Sequence, residues 1–236
     1  MKSKRVLIAI QARSTSTRLP GKHRILINGI SILERVILAC EKSMSYINNS
    51  GRGDISVSIA LLVPSGDSIV EEFAGRVPII EGSENDVLSR YNLALKKSYA
   101  DYIVRITADC PMIPPFVITK HIINATKTEL DYVSNVDPRI RTAPDGWDAE
   151  VISKRALTWA AENAKSEYDK EHVTAILRDN PPAWLRVGCV IGYSDHSNLK
   201  ISIDTEEDLL FVRTYHDILN KKLTAAKDIS EAVFRL

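Results

Sequence analysis

The sequence predicts an α/β fold, a mostly parallel central sheet with helices on both faces. Two observations carry this. Short, nearly continuous apolar runs alternate with longer segments whose apolar residues recur at helical spacing, in the order strand, helix, strand through residue 135. Turn residues punctuate these segments, yet no linker rich in Gly, Ser or Pro divides the chain and no internal repeat occurs. A single domain over residues 1–236 is expected.

Residues 5–10 read as a buried strand, apolar on both faces as a central parallel strand must be. A polar loop from Gln11 to Lys22 follows, then a short strand or turn at 25–27 before Asn28-Gly29. Ser31 is placed to cap a helix over 32–46, with Leu33, Val36, Ile37 and Cys40 on one stripe. Residues 48–53, Arg52 among them, form a turn-rich loop. A second strand spans 55–63 and ends at Pro64-Ser65-Gly66-Asp67. A helix at about 68–75 and a short strand at 77–80 come next. Glu81-Gly82-Ser83 opens a helix to 98 carried by Val87, Leu88, Tyr91 and Leu95. A strand at 101–106, a helix at 115–127 and a strand at 131–135 complete the regular half. After the polar loop 138–146 come a strand at 148–152, helices at 154–164 and 169–178, and a strand at 184–191. A final strand at 200–204 leads through a Thr205 cap into a helix to about 220, with Glu207 or Asp208 in its first turn.

Composition narrows the function. The chain is 44% hydrophobic and 26% charged, as ordinary globular proteins are. With 31 basic and 30 acidic residues the net charge is +1, so nothing pulls the whole molecule toward nucleic acid or anionic lipid, and any phosphate binding must be local. Cys40, Cys110 and Cys189 stand apart, with no CxxC pair, which disfavours disulfides and structural zinc. The first apolar run ends at Gln11, too short for a signal peptide or a membrane span, so a cytoplasmic protein without membrane insertion is expected. Gly21-Lys22 has no glycine five positions before Gly21 and no Ser or Thr after Lys22, so it is not a P-loop; GxGxxG, GxSxG and HExxH are absent too.

The loop itself is the strongest chemical signal. Arg13, Arg18 and Lys22 lie within ten positions, with the hydroxyl run Ser14-Thr15-Ser16-Thr17 and the turn Pro20-Gly21 between them. Fixed cations with hydroxyl and backbone donors suit a polyphosphate. Ligands of open α/β sheets bind beyond the carboxyl ends of the strands. Asp109 and Asp204 fall at two such predicted ends, and two carboxylates facing a basic loop suit Mg²⁺ with a polyphosphate between them. Taken singly, Asp109 also reads as a turn residue before Pro111, and Asp204 as the residue leading into a helix.

Several blocks together resemble the nucleotide-sugar cytidylyltransferases, which make CMP-activated 3-deoxy-manno-octulosonate and sialic acids, and in particular their spore-coat-polysaccharide branch. These are Gln11-Ala12-Arg13 through Arg18-Leu19-Pro20-Gly21-Lys22; Gly82-Ser83-Glu84-Asn85-Asp86-Val87-Leu88-Ser89-Arg90-Tyr91; Arg105-Ile106-Thr107-Ala108-Asp109-Cys110-Pro111; and Ile203-Asp204-Thr205-Glu206-Glu207-Asp208-Leu209. Pro144-Asp145-Gly146 with Asp148 and Glu150, and Glu171-His172-Val173-Thr174, add two more.

The resemblance implies a Rossmann-like nucleotidyltransferase fold. It implies attack of an acceptor oxygen on the α-phosphorus of CTP, with Mg²⁺ required and pyrophosphate leaving. Arg13 and Lys22 would hold the triphosphate, helped by Ser14 to Thr17 and Arg18; Asp109 and Asp204 would hold the metal. Gln11 and Ala12, through the backbone of 10–12, and Ser83, Asp86 and Arg90 are candidates for the nucleotide pocket. Arg139, Arg141, Asp145, Asp148, Glu150 and His172 are candidates for an acidic or phosphorylated sugar-like acceptor. The implied partners are CTP and that small molecule, without nucleic acid; a homodimer is left open. The alternatives are another base preference, a non-catalytic nucleotide-binding subunit, and a glycosyltransferase of similar topology, for which no Asp-x-Asp triplet is present. Three departures from the family pattern stand out: Leu61 to Asp67 after the second strand, a longer loop over 46–54, and Trp147 where Leu is usual.

Overall fold

The computed structural model describes residues 3–51, 53–192 and 194–225; Arg52, in the predicted turn-rich loop, lies outside them. In chain order the strands are β1 (Lys4–Gln11), β2 (Leu26–Ile27), β3 (Ile30–Ser31), β4 (Ile55–Pro64), β5 (Ile79–Gly82), β6 (Tyr102–Thr107), β7 (Tyr132–Ser134), β8 (Glu150–Ser153) and β9 (Val187–Cys189). The helices are α1 (Ile32–Asn48), α2 (Ile69–Glu72), α3 (Val87–Ser98), α4 (Pro115–Thr128), α5 (Lys154–Asn163), α6 (Glu167–His172), α7 (Ala175–Asp179) and α8 (Glu206–Ala225).

Seven strands form the central sheet in the order β5-β4-β1-β6-β8-β7-β9. The sheet is mostly parallel. β8 is the exception, running antiparallel to both β6 and β7. Side chains of β1 alternate between two cores: Val6, Ile8 and Ile10 pack with α1 and α4, while Leu7 and Ala9 pack with α3 and α5. A third, smaller core joins Leu19 of the opening loop and Ile32 to Ile201, Ile203, Leu209 and Val212. That core fixes the loop and the start of α8 to each other.

The chain reverses its winding between β1 and β6. The segment after β1 leads by α1 to β4 on one side, whereas β6 is reached on the other side after β5 and α3. Such switch points leave a crevice at the strands' carboxyl ends. Gln11 and Thr107 pair across it at the last rung of the ladder.

The structure corrects several predicted elements. The helix expected over 68–75 is one turn, Ile69–Glu72, closed off by Gly66 and Gly75, both at positive φ. α3 begins at Val87 because Asp86 accepts from the Ser89 N–H as its N-cap, and Glu81 and Gly82 belong to β5. The 169–178 helix is two short ones, broken where Val173 adopts φ 57°. No strand forms over 200–204; a single bridge, Asp145 to Lys200, replaces it. The strand expected at 184–191 shrinks to Val187–Cys189.

His121 is fully buried in α4, its Nδ1 2.7 Å from the Val117 carbonyl and its Nε2 without a partner. Burial pushes the imidazole down to about 4, only partly offset by that hydrogen bond. The unfolded chain therefore binds a proton that the folded one refuses, and the stability present above pH ~6.5 is lost as pH falls toward 4. His121→Leu is expected to flatten the pH dependence of the urea midpoint between pH 6.5 and 5; an unchanged slope in this variant would locate the effect elsewhere.

Candidate active site

A cleft of about 520 Å³ opens at the switch point. Its walls come from the loop after β1, the end of β6, the segment entering α3, and α6. Of the residues singled out in the sequence, Gln11, Ala12, Arg13, Ser16, Thr17, Arg18, Lys22, Arg90, Asp109, His172 and Asp204 line it.

The loop is held from both sides. The Ser14 N–H donates to Asp67 Oδ2 (2.8 Å), Thr15 Oγ1 donates to Glu84 (3.1 Å), and Leu19 is sunk in the third core. Asp67 comes from the Leu61–Asp67 stretch that departs from the family pattern, so that stretch here anchors the loop. Gly21 turns the chain at φ 65°, which an L side chain resists, and a 3₁₀ turn then presents Lys22 inward. Beyond it His23 is buried and bonds Glu72 (3.2 Å), which also receives Arg24 Nε at 2.8 Å.

Lys22 is the hub. Its Nζ lies 3.2 Å from Asp109 Oδ2, 3.2 Å from Asp204 Oδ1 and 3.0 Å from the Ile203 carbonyl. Asp204 is further contacted by Arg18 Nη2 at 3.0 Å and Lys200 Nζ at 3.5 Å. Burial alone would raise the Asp109 carboxyl, but the Lys22 charge and hydrogen bonds from Thr107 and Lys22 outweigh it and hold the group below its ordinary value. Arg13, by contrast, stands exposed on the cleft wall with no ion-pair partner among the described residues.

Asp204 reaches Asp109 without a strand to carry it. The Ile203 N–H donates to the Asp109 carbonyl (2.9 Å), and the Asp145 carbonyl accepts from the N–H groups of Ile201 and Ser202. Asp208 Oδ2 then caps α8 by accepting from the N–H groups of Asp204 (2.9 Å) and Thr205 (3.0 Å). Gly146 sits where these segments cross, so close that a Cβ would stand 2.6 Å from the Ser202 nitrogen.

The remaining expected residues lie off the cleft wall. Ser14 contributes its backbone to Asp67. Ser83 Oγ accepts from the Asp86 N–H, and Asp86 caps α3, so both side chains are committed to opening that helix. Arg139 pairs with its neighbour Asp137 in the open. Arg141 bonds the Ala143 and Pro144 carbonyls and Asp148, ordering the 141–148 loop. Burial lifts the Asp148 carboxyl to about 6 despite Arg141 beside it. Asp145 uses its backbone. Glu150 is 1% exposed and bonds Arg105 Nη1 (2.5 Å) and the Tyr132 hydroxyl.

Glu150 thus acts on the cleft through Arg105, which lines it beside Thr107. Arg105 opens one of the motif blocks but has no role assigned from sequence, although a lone arginine in an otherwise apolar strand is the available signal. Glu84, Asn85, Glu167 and Glu171 are further lining residues not singled out before. Arg90 is 2% exposed, and among the described residues it has one long hydrogen bond, to the Leu62 carbonyl (3.4 Å), and no partner for its Nε.

A profile of the cytidylyltransferase family matches residues 7–235. The chain belongs to the cytidylyltransferase family. It is therefore an enzyme of the nucleotidyltransferase class, as the resemblance implied. The spore coat polysaccharide biosynthesis protein SpsF of Bacillus subtilis is 28% identical over 86% of this cytidylyltransferase and 82% of its own length. The 3-deoxy-manno-octulosonate cytidylyltransferase of Rickettsia massiliae is 24% identical over 94% and 99%. A cytidylyltransferase structure from Leptospira borgpetersenii superposes with a TM-score of 0.74 at 26% identity, covering 89% of this chain and 85% of that one. The Rossmann-like nucleotidyltransferase expectation for the fold is thereby met. Among the described residues of this cytidylyltransferase no helix is long and apolar enough to cross a membrane.

Gly146→Ala is expected to cost roughly 2–4 kcal/mol, from backbone overlap at φ 110° and strain together. Thermal unfolding checks it, and an unchanged melting temperature would show that the crossing yields easily.

Proposed function

We propose that this cytidylyltransferase transfers CMP from CTP to an oxygen of an acidic or phosphorylated sugar-like acceptor, releasing pyrophosphate in a Mg²⁺-dependent reaction. The role is the biosynthesis of surface polysaccharide or a related product, carried out in the cytoplasm by one nucleotidyltransferase domain without nucleic acid. One observation carries the reading: Lys22 joins Asp109 and Asp204 at the switch-point crevice, which Arg13, without an ion-pair partner among the described residues, also lines. The relatives' names support the sugar-acid acceptor and the polysaccharide role.

The residues present fit a magnesium ion. Among the described residues no group of three or more His, Cys, Asp or Glu side chains could hold a metal. Two carboxylates facing a basic loop are instead what Mg²⁺ uses when phosphate oxygens and waters complete its shell. The oxygens converging on Lys22 are hard donors already matched to a cation. When bound, the metal neutralises charge that builds on the phosphoryl oxygens and the leaving pyrophosphate.

The chain's own groups divide the rest. Arg13, Arg18 and Lys22 supply fixed positive charge to the triphosphate, stabilising the transition state more than free CTP because charge grows there on the departing oxygens. The backbone of residues 10–12, fixed by the Ala12 N–H to Leu62 carbonyl bond (3.1 Å), offers edges for the cytosine. Arg90 is the base-pocket side chain that the geometry favours, because it reaches the wall while Ser83 and Asp86 do not. His172 and Arg105 mark the acceptor end, where Glu167 and Glu171 supply acceptors for hydroxyl or amino groups. Holding the acceptor oxygen in line with the α-phosphorus supplies much of the remaining acceleration.

Pyrophosphate release is expected to require CTP, a divalent metal and an acceptor from a panel of sugar acids and sugar phosphates; tight CTP binding with no turnover across that panel would count against catalysis. Asp109→Asn and Asp204→Asn should each lower kcat by roughly 10²-fold or more with the circular dichroism spectrum unchanged. Near-normal rates in both would overturn the metal assignment. Lys22→Ala should weaken CTP binding more than CMP binding in calorimetry, and equal losses would remove its role on the outer phosphates.

A further inference from the structure

Lys22 is placed unlike the other cations of the cleft. Arg13 has no ion-pair partner among the described residues, and Arg18 and Lys200 touch Asp204 without touching Asp109. Lys22 is shared by both carboxylates and also by the Ile203 carbonyl, at 3.0–3.2 Å, so its three N–H groups meet three oxygens. The side chain is 16% exposed. An ion bound to both carboxylates at ~2.1 Å would need the space this ammonium holds.

We propose that Lys22 and the divalent cation compete for one seat, formed by Asp109, Asp204 and the Ile203 carbonyl, so that the metal enters only together with a triphosphate. This rests on the metal assignment made under the proposed function and adds the order in which the site fills. In the free enzyme the ammonium neutralises the carboxylates and keeps the metal out. A triphosphate gives Lys22 another anionic partner, and its departure opens the seat. Lys200 stays on Asp204, tied at the same time to Asp208 Oδ2 (2.5 Å), and so keeps that carboxylate oriented through the exchange. The consequence is a coupling between two ligands: each strengthens the other's binding by the same factor. Metal alone leaves the enzyme unloaded, and CTP carries the metal in with it.

Mn²⁺ serves as the probe, its free concentration read by electron paramagnetic resonance with no nucleotide present. Lys22→Met keeps the aliphatic stem and removes the charge. It should bind Mn²⁺ at least about tenfold more tightly than the wild type, a change of about 1.4 kcal/mol. Adding Asp204→Asn to Lys22→Met should abolish that gain. Lys22→Arg, which keeps the charge, should remain weak. As a second readout that also reports folding, Mn²⁺ alone should raise the melting temperature of Lys22→Met but not of the wild type. Equal Mn²⁺ affinity in Lys22→Met and wild type, with CTP still enhancing Mn²⁺ binding through Asp204, would overturn the competition while sparing the metal site. Mn²⁺ binding indifferent to Asp204, with and without CTP, would overturn both.

Discussion

The unbroken parallel ladder between β1 and β6 is the constraint on which the site depends. Its register runs from Val6 opposite Tyr102 to Gln11 opposite Thr107, through strands buried on both faces. Slipping by one residue would turn Ile8 and Ile10 from the α1–α4 core into the α3–α5 core, so the register is strongly specified. The ladder fixes the point at which each strand hands over to its loop. The Ala108 N–H bonds the Gln11 carbonyl at 3.0 Å, one step beyond the sheet, and Asp109 follows at once. The loop of cations and the first carboxylate are neighbours because the last rung of the sheet makes them so.

The second carboxylate arrives by a different device. Asp204 hangs from hydrogen bonds to Asp109 and Asp145, with Ile201 and Ile203 pressed into the small third core on one side and the α8 cap on the other. Three cations surround it. The molecule's total is still near neutral because 31 basic residues face 30 acidic ones, many of them paired away from the cleft, as in Arg76 with Glu34 and Glu41 and Arg155 with Asp131. The positive field of the cleft is therefore a local one.

The regular half of the fold was legible because its signals are local: continuous apolar runs for β1, β4 and β6, and a Ser31 cap with a helical stripe for α1. The fold class and family followed from them and from the motif blocks. The placement of Asp204 was legible but its support was not. Residues 200–204 alternate like a strand, yet their partners are single backbone atoms of Asp109 and Asp145, which no periodicity reports. Ser83 and Asp86 carried two meanings, a helix N-cap and a polar ligand, and local hydrogen bonding favours the cap. Glu150 shows the opposite failure. Its side chain lies in the buried layer of β8, and its effect on the cleft passes through Arg105, a link visible only across the sheet.

The small third core also has a consequence in time. Lys22 and Asp204 are 182 positions apart, and the core around Leu19 is completed by the same late segment. At ordinary rates of translation the loop leaves the ribosome roughly 10–40 s before the segment that seats it. Through that interval the first strands can pair while Leu19 has only the early members of its core, such as Ile27 and Ile32, and the basic loop has no Asp204 to meet. Contacts this distant close slowly, since chain entropy must be spent before they return anything. A loop made early is thus seated late, when Ile201, Ile203, Leu209 and Val212 arrive to close its core.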